Sequence, residues 1–109
     1  MAQSLRSFVE QCIPSFLAWD LVLLLADRRG ETLDIAAIKE NLAVDGAALG
    51  EALAGLTNAG LVSATESGWR LEPTPERAAA LEEFLQATAD VKGRQRVLTY
   101  FLQAQRDRR

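Results

Sequence analysis

The chain has 109 residues, 49% of them hydrophobic, and a net charge of −3, which suits one folded domain and argues against disorder. A single cysteine excludes an intramolecular disulfide, and the longest apolar run, residues 21–26, is far shorter than the ~20 residues of a membrane span. The N-terminus lacks the basic stretch, apolar run and cleavage site of a signal peptide, so we expect a cytoplasmic protein without a membrane partner.

Two helices are predicted before residue 30. In residues 4–13, apolar side chains recur every three to four positions up to Cys12, and Pro14 ends that helix. Residues 15–29 form a second helix, which is closed by Gly30 and is apolar on two sides. Such a helix needs two neighbours. One is the core of the following segment, and the other could be the first helix, the C-terminal helices or a second subunit.

Two further helices are predicted in the middle of the chain. Asp34 is placed to cap a helix over residues 35–42, because its side chain can accept hydrogen bonds from the free N–H groups of the first turn. Asp45 can cap the next helix, residues 46–59, in the same way. Gly60 should end that helix, since glycine tolerates the left-handed conformation of a helix C-terminus.

A β-hairpin is predicted directly after these helices. Residues 61–65 and 69–72 read as its two strands, and residues 66–68 form the tight turn between them. Residues 31–34 are expected to form a short strand that pairs with this hairpin. Trp69 is expected to pack the hairpin onto the body of the domain.

Two helices are predicted in the last third of the chain. Thr74 as N-cap and Pro75 at the first helical position favour a helix that runs to about Asp90. Gly93 is expected to separate it from a last helix over residues 94–106. In the earlier of these two helices, the spacing places four residues on one face: Ala78, Leu81, Leu85 and Thr88.

These elements predict a mainly α fold of the α+β class. A short helix followed by a second helix and at once by a small β-hairpin is the core of a winged helix-turn-helix. We expect a single domain over residues 1–109, with an N-terminal helix at 1–14, a winged-helix core at 15–73 and C-terminal helices at 74–109.

The charges are distributed unevenly along the chain. Residues 92–109 contain six basic residues and one acidic residue, a local charge of +5. Residues 31–72, the unit that would face DNA, contain two basic and seven acidic residues, a local charge of −5. Duplex DNA is bound mainly by neutralising its phosphates with lysine and arginine. The basic end could clamp nucleic acid, dock on an acidic partner, or be a solvated helix end.

The residues of the predicted hairpin unit carry a family resemblance. One run resembles the recognition helix and first wing strand of bacterial winged-helix regulators of the MarR and PadR kind: Leu49, Leu53, Leu56, Gly60, Leu61 and Val62. A second run is similar to their second wing strand and the start of the helix after it: Gly68, Trp69, Arg70, Leu71, Pro75 and Glu76. The resemblance covers roughly residues 15–90. It implies a winged-helix fold whose flanking helices serve as a dimerisation surface.

The chain departs from DNA-binding members of this family on the outward face of residues 46–59. Polar and basic side chains that reach bases and phosphates are expected there. This helix instead offers Glu51, Asn58 and small residues, and the turn of the hairpin carries Glu66. We therefore predict a non-catalytic regulatory module that acts mainly through protein–protein contacts. The alternative is a transcription regulator that binds duplex DNA through these residues: Lys39, Thr57, Asn58, Arg70, Arg94 and Arg96.

Apolar stripes on the predicted helices point to a homodimer or another protein partner. The candidate contact residues are Phe8, Phe16, Trp19, Leu23, Val97, Leu98, Phe101 and Leu102. Packing in the core or between subunits explains Phe16 and Trp19. As a third alternative, this aromatic pair could line a pocket for a small-molecule effector.

The sequence contains little that could support catalysis. It has no histidine, and its one cysteine, Cys12, lies on an apolar stripe where it reads as a small buried hydrophobe. Four of its glycines, Gly46, Gly50, Gly55 and Gly60, lie on or around one helix and do not form a loop that could hold a phosphate. We expect no enzyme, no metal and no cofactor.

Overall fold

Six helices and one two-stranded antiparallel sheet make up residues 4–107, the part of the chain described by this computed structural model. The predicted mainly α, α+β class is confirmed. In chain order the elements are α1 (Leu5–Cys12), α2 (Phe16–Asp27), α3 (Ile35–Asn41), α4 (Gly46–Asn58), β1 (Val62–Thr65), β2 (Gly68–Leu71), α5 (Pro75–Thr88) and α6 (Val91–Asp107).

Side-chain caps determine where the middle helices begin. The Asp34 carboxylate accepts a hydrogen bond from the Ala37 N–H at 2.8 Å, and Asp45 accepts one from the Ala47 N–H at 3.3 Å. Both predicted aspartate caps are therefore confirmed. Thr74 lies at the N-cap position of α5, but its side chain makes no cap hydrogen bond there. It lies instead against Gly60, the glycine with positive φ that ends α4.

The β-hairpin has a tighter turn than the sequence predicts. Val62 pairs with Leu71 and Thr65 pairs with Gly68, so only two residues separate the strands. Gly68 therefore opens β2 instead of belonging to the turn. Its φ of 142° favours glycine, and a Cβ at this position would lie 2.2 Å from the carbonyl oxygen of Leu33.

One residue pair joins the hairpin to the segment before α3. The Leu33 N–H donates to the Trp69 carbonyl at 2.8 Å, and the Trp69 N–H donates back to the Leu33 carbonyl at 2.9 Å. The predicted strand at 31–34 is thus present as a single bridged residue. Because Gly68 has no side chain, the backbone of Leu33 can approach the hairpin this closely.

Helix α6 begins at Val91, so the prediction of a helix break at Gly93 is wrong. Gly93 lies in the first turn of α6, where its N–H donates to the Asp90 carboxylate at 2.7 Å. A Cβ on Gly93 would lie 2.1 Å from the carbonyl oxygen of Ala87 in α5. The glycine is needed because two helix backbones come into contact at this point, which a local sequence pattern does not reveal.

Four aromatic rings join α1, α2, α5 and α6 in the core. Phe84 of α5 lies 5.5 Å from Phe8 and 5.9 Å from Trp19 between ring centroids, and Trp19 lies 5.9 Å from Phe101. Phe84 is fully buried on the inner face of α5, although the stripe predicted from the spacing does not include it. That face is wider than one stripe because α5 packs against both α1 and α6. Its buried residues are Ala80, Leu81, Phe84, Ala87 and Thr88.

Within residues 4–107, no single helix has both the length and the apolar composition needed to cross a membrane. Helices α1 and α2 reach the required length and apolar composition only when they are taken together, and the two helices are bent by 111° relative to each other. Their apolar side chains are mostly buried in the core that α5 and α6 complete.

Candidate functional site

Helix α4 presents a smooth, nearly uncharged outer face. Its inner face is held by three fully buried leucines, which pack towards α2 and β1. On the outer face, a Cβ added at Gly50 or Gly55 would meet no atom within 4 Å, so this surface is open. Glu51 is the one charged residue of α4. The other exposed residues of the helix are Ala47, Ala48, Gly50, Ala54 and Asn58.

A shallow apolar groove borders this face. It has a volume of about 400 Å³ and lies between the turn from α1 to α2 and the side of α4. Leu17, Ala48 and Ala52 supply its apolar lining, and the Glu51 carboxylate is its one charged group. Side chains this small allow another protein surface to approach closely, which suits protein contacts better than phosphate binding.

The hairpin offers no free cation to a phosphate. Arg70 is the one basic residue of residues 62–72, all of which the structure describes, and its Nε donates to Glu72 Oε2 at 3.1 Å. This hydrogen bond raises the pKa of Arg70 and lowers the pKa of Glu72, which favours the charged form of both groups. Glu66 is exposed in the turn. The tip of the hairpin is therefore acidic.

The remaining predicted DNA-contact residues near α4 differ in whether their polar groups are available to bind DNA. The Thr57 hydroxyl donates to the Leu53 carbonyl at 2.8 Å, so it is turned back onto its own helix. Asn58 is exposed at the end of α4. Lys39 is exposed on α3, and its ammonium group lies over Gly46 at the start of α4.

The cations of α6 lie in a different part of the fold. The Arg94 guanidinium donates from Nε and Nη2 to the carbonyl of Thr88 at 3.3 and 3.2 Å, and so caps the end of α5. Arg96 and Lys92 line an open depression of about 620 Å³ at the junction of α5 and α6. Helix α6 packs mainly on α1 and α5, whereas the hairpin packs on α2 and α4. These contacts do not bring Arg94 or Arg96 to the hairpin.

The predicted partner residues divide into interior and surface positions. Phe8, Val97 and Phe101 are buried within the single chain, so they supply core packing and no contact surface. Trp19 is nearly buried. The others are exposed or half-buried and can reach a partner: Phe16, Leu23, Leu98 and Leu102.

Three of these accessible residues, Phe16, Leu23 and Leu98, line a groove between α2 and α6. The groove has a volume of about 340 Å³. The Phe16 ring is 54% exposed, stacks on Trp19 at 6.3 Å between centroids and lies 4.4 Å from the ring of Phe101. Two charged residues whose place here was not predicted from the sequence, Asp20 and Arg94, also line the groove. The spacing of Asp20, four residues after Phe16, is the signal that could have placed it on this face.

A half-buried arginine that the sequence did not indicate, Arg77, joins three helices. The Arg77 Nε donates to the Ala59 carbonyl at the end of α4 at 3.0 Å, and its Nη1 donates to Gln11 Oε1 of α1 at 3.3 Å. Cys12 lies nearby. Burial raises the pKa of its thiol, and the Arg77 charge offsets this only in part. The thiol is 1% exposed and stays protonated at neutral pH, which makes it a poor nucleophile.

The chain matches no family model, no curated protein and no solved structure at a significant level. Within residues 4–107, no three histidine, cysteine, aspartate or glutamate side chains are grouped so that they could hold a metal ion. Three surfaces described above carry a functional argument: the outer face of α4, the hairpin and the groove between α2 and α6.

Proposed function

We propose that this chain is a non-catalytic winged-helix module that acts mainly through protein–protein contacts in a regulatory setting, as a dimer. The order of α2, a bridged Leu33, α3, α4 and the hairpin supports the winged-helix assignment. In this assignment the Leu33–Trp69 pairing supplies the third strand of the wing sheet. The resemblance to MarR- and PadR-type regulators points the same way.

The ion pair between Arg70 and Glu72 is the observation that most favours protein contacts over DNA. It occupies the one cation of the hairpin, next to an exposed Glu66 and a helix face whose only charge is Glu51. A protein that grips DNA must neutralise phosphates, and this face would repel them. Interface cores between proteins are depleted in charge, which agrees with the small uncharged residues of α4.

Fluorescence anisotropy with a labelled random-sequence duplex tests this proposal. At about 50 mM salt, where phosphate contacts are strongest, we expect the wild-type chain to show no binding. A variant with Glu51→Lys and Glu66→Lys carries the cations that the proposal says are missing, and it should gain salt-sensitive binding. Wild-type binding whose affinity falls steeply as salt rises would overturn the proposal.

A second candidate function is a DNA-binding transcription regulator that uses the hairpin, residues 46–59 and the basic C-terminal segment. It is favoured by one observation, the exposed Lys92 and Arg96 around the depression at the start of α6. In that case Lys92→Ala with Arg96→Ala should weaken binding to all duplexes alike, because phosphate contacts carry no sequence information. Arg70→Ala and Asn58→Ala should instead weaken binding to a specific operator.

A further inference from the structure

The exposed large hydrophobic side chains of residues 4–107 all lie on α2 and α6. They are Phe16 and Leu23 on α2, and Val91 and Leu102 on α6. On each helix the spacing places them on one stripe: Phe16 and Leu23 are seven residues apart, and the half-buried Leu98 lies seven after Val91 and four before Leu102. Because α2 and α6 meet at the groove, the two stripes form one apolar face.

The two walls of this face carry opposite charges. Asp20 lies on the α2 stripe between Phe16 and Leu23, is exposed, and has no hydrogen-bond or ion-pair partner among residues 4–107. Arg94 lies on the α6 wall and uses two of its five N–H donors on the Thr88 carbonyl. Asp20 and Arg94 are not paired with each other within the chain, so each remains available to a partner.

We infer that a second copy of the chain covers this face, packed about a two-fold axis with α2 of each copy on α6 of the other. The inference rests on the proposed function and specifies its dimer. A two-fold axis makes every contact occur twice, so Asp20 meets Arg94 of the partner subunit and Arg94 meets Asp20 of the partner subunit. The same packing covers the exposed Phe16 and Leu102.

Charge favours a second copy over other occupants. An acidic wall beside a basic wall is self-complementary under a two-fold axis, whereas a partner of one charge sign would be attracted by one wall and repelled by the other. The groove of about 340 Å³ is open, while small-molecule sites enclose most of their ligand. The apolar stripe of α6 also continues beyond the groove to Leu102 and Val91. A helix of a second copy is long enough to cover a stripe of this length.

Sedimentation velocity of three charge variants tests this packing. Asp20→Arg and Arg94→Asp each place like charges opposite one another twice in the dimer, and each should raise the dimer Kd at least tenfold. An equimolar mixture of the two variants restores both opposite-charge pairs, because one copy carries only arginine and the other only aspartate at these positions. The mixture, and the single chain with both exchanges, should dimerise within threefold of the wild-type Kd.

Matched controls separate this effect from a general change of charge or fold. Glu83→Arg and Arg96→Asp make the same charge changes at exposed positions outside the face and should leave the Kd unchanged. Arg94→Asp also removes the cap of α5, so its folding is checked by circular dichroism. Asp20 has no partner among the residues that the structure describes, and Asp20→Arg therefore tests the interface even if the other variant folds poorly.

Three results would overturn the inference. They are a wild-type chain that stays monomeric at every accessible concentration, a dimer that neither reversal weakens, and a mixture of the two variants that does not associate. An apolar dye that binds the groove of a persistent monomer would indicate a small-molecule site instead. The DNA experiment separates the two proposals. A monomer without DNA affinity overturns this inference and the dimeric state, but it leaves the protein-contact role of α4 and the hairpin standing. A dimer that binds duplex overturns that role and leaves this inference standing.

Discussion

Replacing Gly93 with alanine should destabilise the protein, although alanine is the better helix former. If Gly93 were an exposed helix residue, alanine would stabilise α6 by about 1 kcal/mol. In the structure the new Cβ would lie 2.1 Å from the Ala87 carbonyl oxygen, where ordinary contact begins at 3.4 Å. Helices α5 and α6 would have to separate by roughly 1 Å, and overpacking of this kind costs about 1–3 kcal/mol.

The new Cβ is fixed to the backbone of α6 and would meet a backbone oxygen of α5, so rotating a side chain cannot relieve the clash. The cost of overpacking should therefore lie near the upper end of that range. After the gain in helix propensity, Gly93→Ala should lower the free energy of unfolding by about 1–2 kcal/mol. For a domain of this size that corresponds to a fall in Tm of about 5–15 °C.

Differential scanning calorimetry at one fixed protein concentration measures this change. Gly50→Ala is the matched control, because a Cβ at Gly50 in the middle of α4 meets nothing within 4 Å. That variant should gain about 0.5–1 kcal/mol and raise Tm. If Gly93→Ala raised Tm by as much as Gly50→Ala, the close approach of α5 and α6 would be refuted.

Three further predictions concern the core and its cysteine. Phe84→Ala should cost about 3–5 kcal/mol in urea denaturation, because it removes the ring that contacts both Phe8 and Trp19; a loss below about 1 kcal/mol would contradict that role. Arg77→Ala should cost about 1–3 kcal/mol, since it leaves the end of α4 without its cap, and a cost no greater than that of an exposed arginine would count against the cap. Cys12 should react with a thiol reagent, followed by absorbance, only after the protein unfolds, because burial both shields the thiol and raises its pKa. Rapid reaction of the native protein would show that the core around Cys12 opens.

Local chemistry explains which elements could be predicted. The caps at Asp34 and Asp45 and the helix end at Gly60 depend on neighbours within a few residues, so the sequence alone indicates them. Gly93 and Phe84 depend on where α5 meets other helices. A glycine in a helix break and a glycine at a helix contact look the same in sequence, and tertiary contacts decide between them.

The candidate surfaces were predicted only in part for a similar reason. Apolar periodicity marks a covered helix face, but it does not say whether the cover is the same chain or a partner. Phe101 and Phe16 belong to the same set of predicted contact residues, yet one is buried and the other is half exposed. The Arg70–Glu72 pair had a usable signal, because residues two apart on a strand share one side of the sheet. Two charges of opposite sign at that spacing could have been paired from the sequence.

The long-range contacts of Arg77 determine where this chain can be truncated. The guanidinium closes the end of a helix eighteen residues earlier and holds a glutamine sixty-six residues earlier. A fragment that stops before Pro75 would keep the hairpin intact, but it would leave the last carbonyl of α4 exposed and remove Phe84 from the aromatic cluster. Residues 15–73 by themselves should therefore fold poorly, and truncation boundaries are best placed outside the helices at both ends.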